Sequence, residues 1–171
     1  MLRILGIDPG IAIVGTGIVD YEKNKFTAVY YDAVTTRAHT PIEERVKIVY
    51  EGLGKLMDLY KPDAVSMEEL YFNNNAKTAF AVGQARGVAL LAASERNIPI
   101  FSYTPLQVKQ AVVGYGRAEK SQVMDMVKRI CALPAPPRPD DAADAVALAL
   151  CHARSSTSLL YRGDREECST I

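Results

Sequence analysis

Cysteine is scarce in this chain. The three present, Cys131, Cys151 and Cys168, form no close pair and no CxxC, so neither a disulfide framework nor a cysteine zinc site is expected, and a reducing, cytoplasmic compartment is the natural one. Long apolar runs are missing as well. No stretch reaches the roughly 18 consecutive apolar residues of a membrane span, and the opening "MLRILGIDPG" carries Arg3 and Asp8 inside its apolar stretch, so neither a membrane segment nor a signal peptide is expected. Charge of one sign is not in excess either: 20 basic side chains balance 20 acidic ones, and bulk charge therefore does not mark a nucleic-acid binder. Histidine is limited to His39, in a polar loop, and His152, at an expected helix end where the helix dipole explains it. Neither is assigned a catalytic role.

What is present fits one domain. A length of 171 residues with 49% hydrophobic content allows a single core that buries roughly two-thirds of the unfolded surface. "LRILGID" (Leu2 to Asp8) and "IAIVGTGIVD" (Ile11 to Asp20) are β-rich runs separated by Pro9 and Gly10, and "KFTAVYYDAVTT" (Lys25 to Thr36) follows, which predicts an antiparallel meander. Ile42, Val46, Val49, Leu53 and Leu56 recur at helical spacing between Thr40 and Lys61, with Thr40 as N-cap and Pro41 at the first position. A short strand (Pro62 to Leu70), a small-residue helix (Asn75 to Asn97), a strand (Ile98 to Thr104) and three further helices complete a mixed α/β order. The domain is expected over 1–155, with 156–171 as a polar, flexible tail.

One of those helices contains an anomaly. "RPDDAADAVALALC" (Arg138 to Cys151) is apolar almost all round, yet it carries three aspartates at its head. Asp140 and Asp141 after Pro139 fit an ordinary helix start. Asp144 lies about a turn further in, among alanines, where a lone carboxylate is unfavourable unless paired or bound to a metal. The i, i+3 spacing puts it on the face of Asp141. Elsewhere Asp8 ends the first strand beside "PG", a position that also suits a plain turn former, and Glu68 and Glu69 end "AVSMEEL". Adjacent strand residues point to opposite faces, so only one of the two glutamates can join Asp8. Carboxylates gathered from these places would repel one another, and an oxygen-only cluster suits Mg²⁺ or Mn²⁺ rather than zinc.

The charges are also unevenly placed. Residues 77–129 hold 8 basic and 3 acidic side chains, whereas residues 1–76 hold 8 and 11. Lys77, Arg86, Lys109, Arg117 and Lys120 can neutralise phosphates, while Arg96, Lys128 and Arg129 read as a solvated face. "GYGRAEK" reads as an adaptable loop entering a helix, where backbone N–H groups with Arg117 and Lys120 meet a phosphate. Tyr71 and Phe72 follow the glutamate strand directly, and are read as a base-stacking platform in preference to a buried pair.

At this point the chain resembles the RuvC family of Holliday junction resolvases. The resemblance rests on "GIDPG", "MEEL", "NNNAKTAFAVGQARG", "QVKQAVVGYGRAEKSQV" and "DDAADAVALA", in that order, and covers most of residues 3–153. It implies an α/β, ribonuclease H-like fold with a five-stranded mixed sheet flanked by helices. Transferred residue by residue, it implies an acidic quartet of Asp8, Glu68, Asp141 and Asp144 that holds two Mg²⁺ ions, with Mn²⁺ able to substitute, and leaves Glu69 and Asp140 outside. It puts Lys109 and Lys120 near the scissile strand and favours Tyr71, while Phe72 and Arg117 are expected as DNA contacts from their own placement. The implied activity is symmetric hydrolysis of four-way junction DNA in two like-polarity strands, leaving 5′-phosphate and 3′-hydroxyl ends. One quartet per chain and two equivalent strands per junction lead to the expectation of a two-fold dimer with "AVGQARGVALLAA" as its candidate surface, and the resemblance implies the branch-migration proteins RuvA and RuvB as partners. Two other readings remain: a non-cleaving junction binder, which should lack one carboxylate, and an actin-like ATPase, whose first phosphate loop "GIDPG" also resembles but whose two lobes need a longer chain.

Overall fold

The computed structural model describes residues 1–69 and 76–157. Its elements are β1 (Leu2–Asp8), β2 (Ile13–Glu22), β3 (Lys25–Thr35), α1 (Ile42–Tyr60), β4 (Ala64–Glu68), α2 (Ala76–Ser94), β5 (Ile100–Tyr103), α3 (Pro105–Val113), α4 (Lys120–Ile130) and α5 (Asp140–Thr157). The strands form one sheet in the order β3-β2-β1-β4-β5. β1, β2 and β3 are the expected antiparallel meander, and β4 and β5 add in parallel beyond β1. The β2–β3 connection is tight because Lys23 and Asn24 both adopt positive φ (48° and 64°), the combination a two-residue hairpin needs.

Side-chain alternation splits β1 cleanly. Leu5 and Ile7 point to one face, where they pack with Ile18, Val65 and Met67 of the sheet and with Leu53, Met57 and Ala89 of α1 and α2. Ile4, Gly6 and Asp8 point to the other, which α5 covers with α3 and α4 beside it. On that second face glycine is required. A Cβ on Gly6 would lie 1.8 Å from the Ala145 carbonyl oxygen, and one on Gly15 would lie 2.0 Å from that of Asp141. The alanines of α5 and the glycines of β1 and β2 thus let two backbones approach closely.

Three local expectations are corrected. α1 begins at Ile42 with Pro41 in the N-cap position and no side-chain cap bond, so Thr40 does not cap it. α5 runs to Thr157, into the segment expected to be loose, and its Ser156 hydroxyl donates to the Ala153 carbonyl. Residues 158–171, with Cys168, lie outside the described residues. His152 stands inside α5 rather than at its end, and is buried.

Candidate active site

Strand parity and register resolve the choice between the two glutamates. Ser66 faces α5, since its hydroxyl donates to the Leu148 carbonyl (2.8 Å), so Glu68, two residues on, shares that face with Asp8. β1 and β4 pair in parallel through Ile7↔Met67, and one further step brings Asp8 beside Glu68. Glu69 leaves the strand, exposed, with its N–H donating to the Tyr103 carbonyl. Gly15 is the cross-strand partner of Asp8, and because it has no side chain the first turn of α5, at Asp141, can settle against it. The helical aspartates therefore arrive over the end of β1.

Electrostatics register the convergence. Asp8 is pushed up from 3.8 to about 7, first by burial and then by the charges of Asp144, Glu68 and Asp141. Burial and the Asp144 charge raise Glu68 as well. Asp8, Glu68 and Asp144 line a cavity of about 290 Å³ together with Lys109 of α3 and Lys120 of α4. Lys120 Nζ lies 2.9 Å from Asp144 Oδ2, and this bond raises the lysine. Asp141 does not line the cavity but acts on Asp8 from its edge. Asp140 is paired instead with Arg138.

The donors fit a hard divalent cation. All are carboxylate oxygens, partly buried and mutually repelling, which is the environment that favours Mg²⁺ or Mn²⁺ over softer metals. As the side chains lie, no three histidine, cysteine or carboxylate groups among the described residues stand close enough to enclose one ion, and the ammonium of Lys120 supplies the positive charge beside Asp144.

The basic residues divide sharply. Lys109 and Lys120 line the cavity and Arg117 is exposed on the loop between α3 and α4. Arg86 instead ties α2 to β5, donating to the Ser102 hydroxyl, Arg96 is ion-paired with Asp58 and Arg129 with Asp125. In "GYGRAEK" Gly114 ends α3 at φ 99° and Gly116 lies against Leu106. The Glu119 N–H at the start of α4 donates to Gln122. Tyr71 and Phe72, and the side chain of Lys77, lie outside the described residues. Sequence reasoning missed Tyr103 and His152, which share a buried hydrogen bond between β5 and α5 (2.7 Å). The eight-residue spacing of Asp144 and His152 on one helical face was the available signal.

A five-stranded mixed sheet with carboxylates gathered at strand ends under a helix defines a ribonuclease H-like α/β protein. The family model described as crossover junction endodeoxyribonuclease RuvC matches residues 4–152, and the chain belongs to that family. It is 59% identical to the crossover junction endodeoxyribonuclease RuvC of Ruminiclostridium cellulolyticum over 152 residues, 89% of this chain and 92% of that protein. It is 56% identical to the protein of the same name from Clostridioides difficile, over 90% of each. Among solved structures it is similar to T. thermophilus RuvC in complex with a Holliday junction substrate, with a TM-score of 0.88 and 36% identity over 95% of this chain and 97% of the other.

Proposed function

We propose that the chain resolves four-way DNA junctions by metal-dependent hydrolysis of one phosphodiester in each of two like-polarity strands. The observation that carries this reading is the meeting of Asp8, Glu68 and Asp144, with Asp141 at the edge, over one end of the sheet in a member of the RuvC family. Asp8, Glu68, Asp141 and Asp144 would hold two Mg²⁺ ions, with Mn²⁺ able to replace them. Bound there, the ions supply an activated water and Lewis-acid stabilisation of the departing 3′ oxygen.

The chain's own residues do the rest. The rigid strand ends present Asp8 and Glu68 from one face, so the spacing of the oxygens that would hold the ions is set by the sheet. Lys120 leaves Asp144 for the incoming phosphate, and Lys109 and Arg117 bind the flanking backbone. Tyr71 and Phe72 would stack on unpaired bases beside the cut. The products carry 5′-phosphate and 3′-hydroxyl and can be religated.

One quartet per chain and two equivalent strands per junction call for a two-fold dimer. α2 is the proposed surface, because Phe80 and Leu91 are 71% and 53% exposed on it and no described residue comes within 4 Å of a Cβ placed on Gly87. RuvA and RuvB are the proposed partners, by family, and the cytoplasm the proposed compartment. Among the described residues no helix is long and apolar enough to cross a membrane.

The test incubates the protein with a synthetic mobile four-way junction and with a linear duplex of the same sequence, in Mg²⁺ or chelator. Paired, symmetric, ligatable cuts in the junction alone, abolished by chelator, are expected. Tight binding without cuts in any metal would replace this reading with the non-cleaving binder.

A further inference from the structure

α5 carries two of the four carboxylates, so where it sits along the sheet decides where they stand. Gly6 and Gly15 meet its backbone at Ala145 and Asp141, Gly17 meets the Val146 side chain, and Ile4, Val19, Val146 and Leu150 pack in the same layer. Dispersion contacts of this kind are individually weak and non-directional, whereas a buried hydrogen bond fixes both distance and direction.

Two buried hydrogen bonds have the right direction. Ser66, fully buried in β4, donates from Oγ to the Leu148 carbonyl of α5 (2.8 Å). Tyr103 of β5 shares a 2.7 Å hydrogen bond between its hydroxyl and His152 Nδ1, also on α5, and Phe101 stacks on the imidazole with centroids 4.2 Å apart. Both tyrosine and histidine are buried, at 4% and 3% exposure. Ser66 lies two residues before Glu68, and Tyr103 is the cross-strand partner of Glu68. Leu148 and His152 follow Asp144 at four and eight residues, on the same helical face. Each bond therefore links the strand pair that bears Glu68 to the helix that bears Asp144.

We propose that the Ser66–Leu148 and Tyr103–His152 bonds are a positioning device that sets the axial register of α5, and with it the separation of Asp144 from Glu68 and Asp8. A slide of α5 would break both bonds in a dry interior, where an unpaired polar group is strongly unfavourable. The inference rests on the nuclease reading of the carboxylates.

The test compares wild type with Tyr103→Phe, Ser66→Ala, His152→Ala and His152→Asn, the last of which returns a hydrogen-bonding group to the place of Nδ1. Leu53→Ala, on the opposite face of the sheet, is the stability control. Mn²⁺ binding is followed by EPR without DNA, single-turnover cleavage at saturating junction, and junction affinity in chelator, all below the lowest melting midpoint. Tyr103→Phe and His152→Ala are expected to weaken Mn²⁺ binding and slow cleavage by about ten-fold or more, with junction affinity unchanged and His152→Asn recovering most of the loss. Variants that melt earlier, as Leu53→Ala does, but keep wild-type Mn²⁺ affinity and rate would overturn the proposal. A wild-type protein that neither binds Mn²⁺ nor cuts would overturn the nuclease reading and this one with it, a distinguishable result.

Discussion

The two faces of the sheet are built on opposite principles. Toward α1 and α2 the strands present Leu5, Ile7, Ile18 and Met67, which fill space against Leu53 and Met57. Toward α5 they present Gly6, Gly15 and Gly17 beside Ile4 and Val19, with Asp8 and Glu68 at one end, and the helix answers with alanines, Val146, Leu150 and two aspartates. Large aliphatic side chains stabilise by area and interdigitation and hold helices at a distance. Small ones give up area but bring backbones together, which is what lets carboxylates from β1, β4 and α5 share one cavity. Both faces bury an apolar core, and the chemistry stands on the second.

The strongest way to break that division is to remove the chemistry and keep the fold. Asp8→Asn and Asp144→Asn are each expected to slow junction cleavage by roughly 10³-fold or more while junction binding survives. Gel-based single-turnover rates alongside binding isotherms check this, and a wild-type rate for either variant would remove it from the site.

Reversing the packing rule on each face comes next. Leu53→Ala is expected to destabilise by about 2 to 5 kcal/mol in urea unfolding, with the native fraction cutting at the normal rate. Gly6→Ala adds one methyl yet is expected to lower stability by about 3 kcal/mol or more, because the new Cβ falls against the Ala145 backbone. It should also slow cleavage, since α5 must shift. Equal behaviour of the two variants in the rate assay would erase the contrast between the faces.

Charge crowding offers a finer probe. Asp8, raised from 3.8 to about 7, holds a proton in the metal-free folded protein that the unfolded chain releases between about pH 4 and 7. Stability from this group is therefore full at low pH and is lost as pH rises through about 7. Asp8→Asn should stabilise the metal-free protein by about 1 to 3 kcal/mol at pH 8 and hardly at all at pH 4, as melting with and without Mg²⁺ would report. The smallest effect belongs to the rim. Arg117→Ala should weaken junction binding several-fold and reduce the salt slope by about 1, while Arg129→Ala, ion-paired with Asp125, should leave both unchanged.

Much of this molecule is local and was legible in one dimension. Alternation in "LRILGID", helical spacing from Ile42 to Tyr60 and the turn residues between strands depend only on near neighbours, and the element order follows from them. The improbability of Asp144 in an alanine-rich helix raised the question of a site before any fold was known, and the motif order around it pointed to the family. Other features were not legible for an equally physical reason. Whether Glu68 or Glu69 turns toward Asp8 depends on which strands are neighbours. Gly15 and Asp141 are 126 residues apart in the chain and meet only when α5 crosses β2. The Lys120–Asp144 pair and the Tyr103–His152 bond join elements whose separation no local pattern encodes. How "GYGRAEK" packs was hidden on the same ground, since Leu106 and Gln122, which engage its glycine and backbone, belong to the flanking helices. The sequence by itself determined the elements, their polarity and the set of acids. Only the tertiary structure decided which acids meet, because burial and charge coupling act through distances that chain closure alone sets.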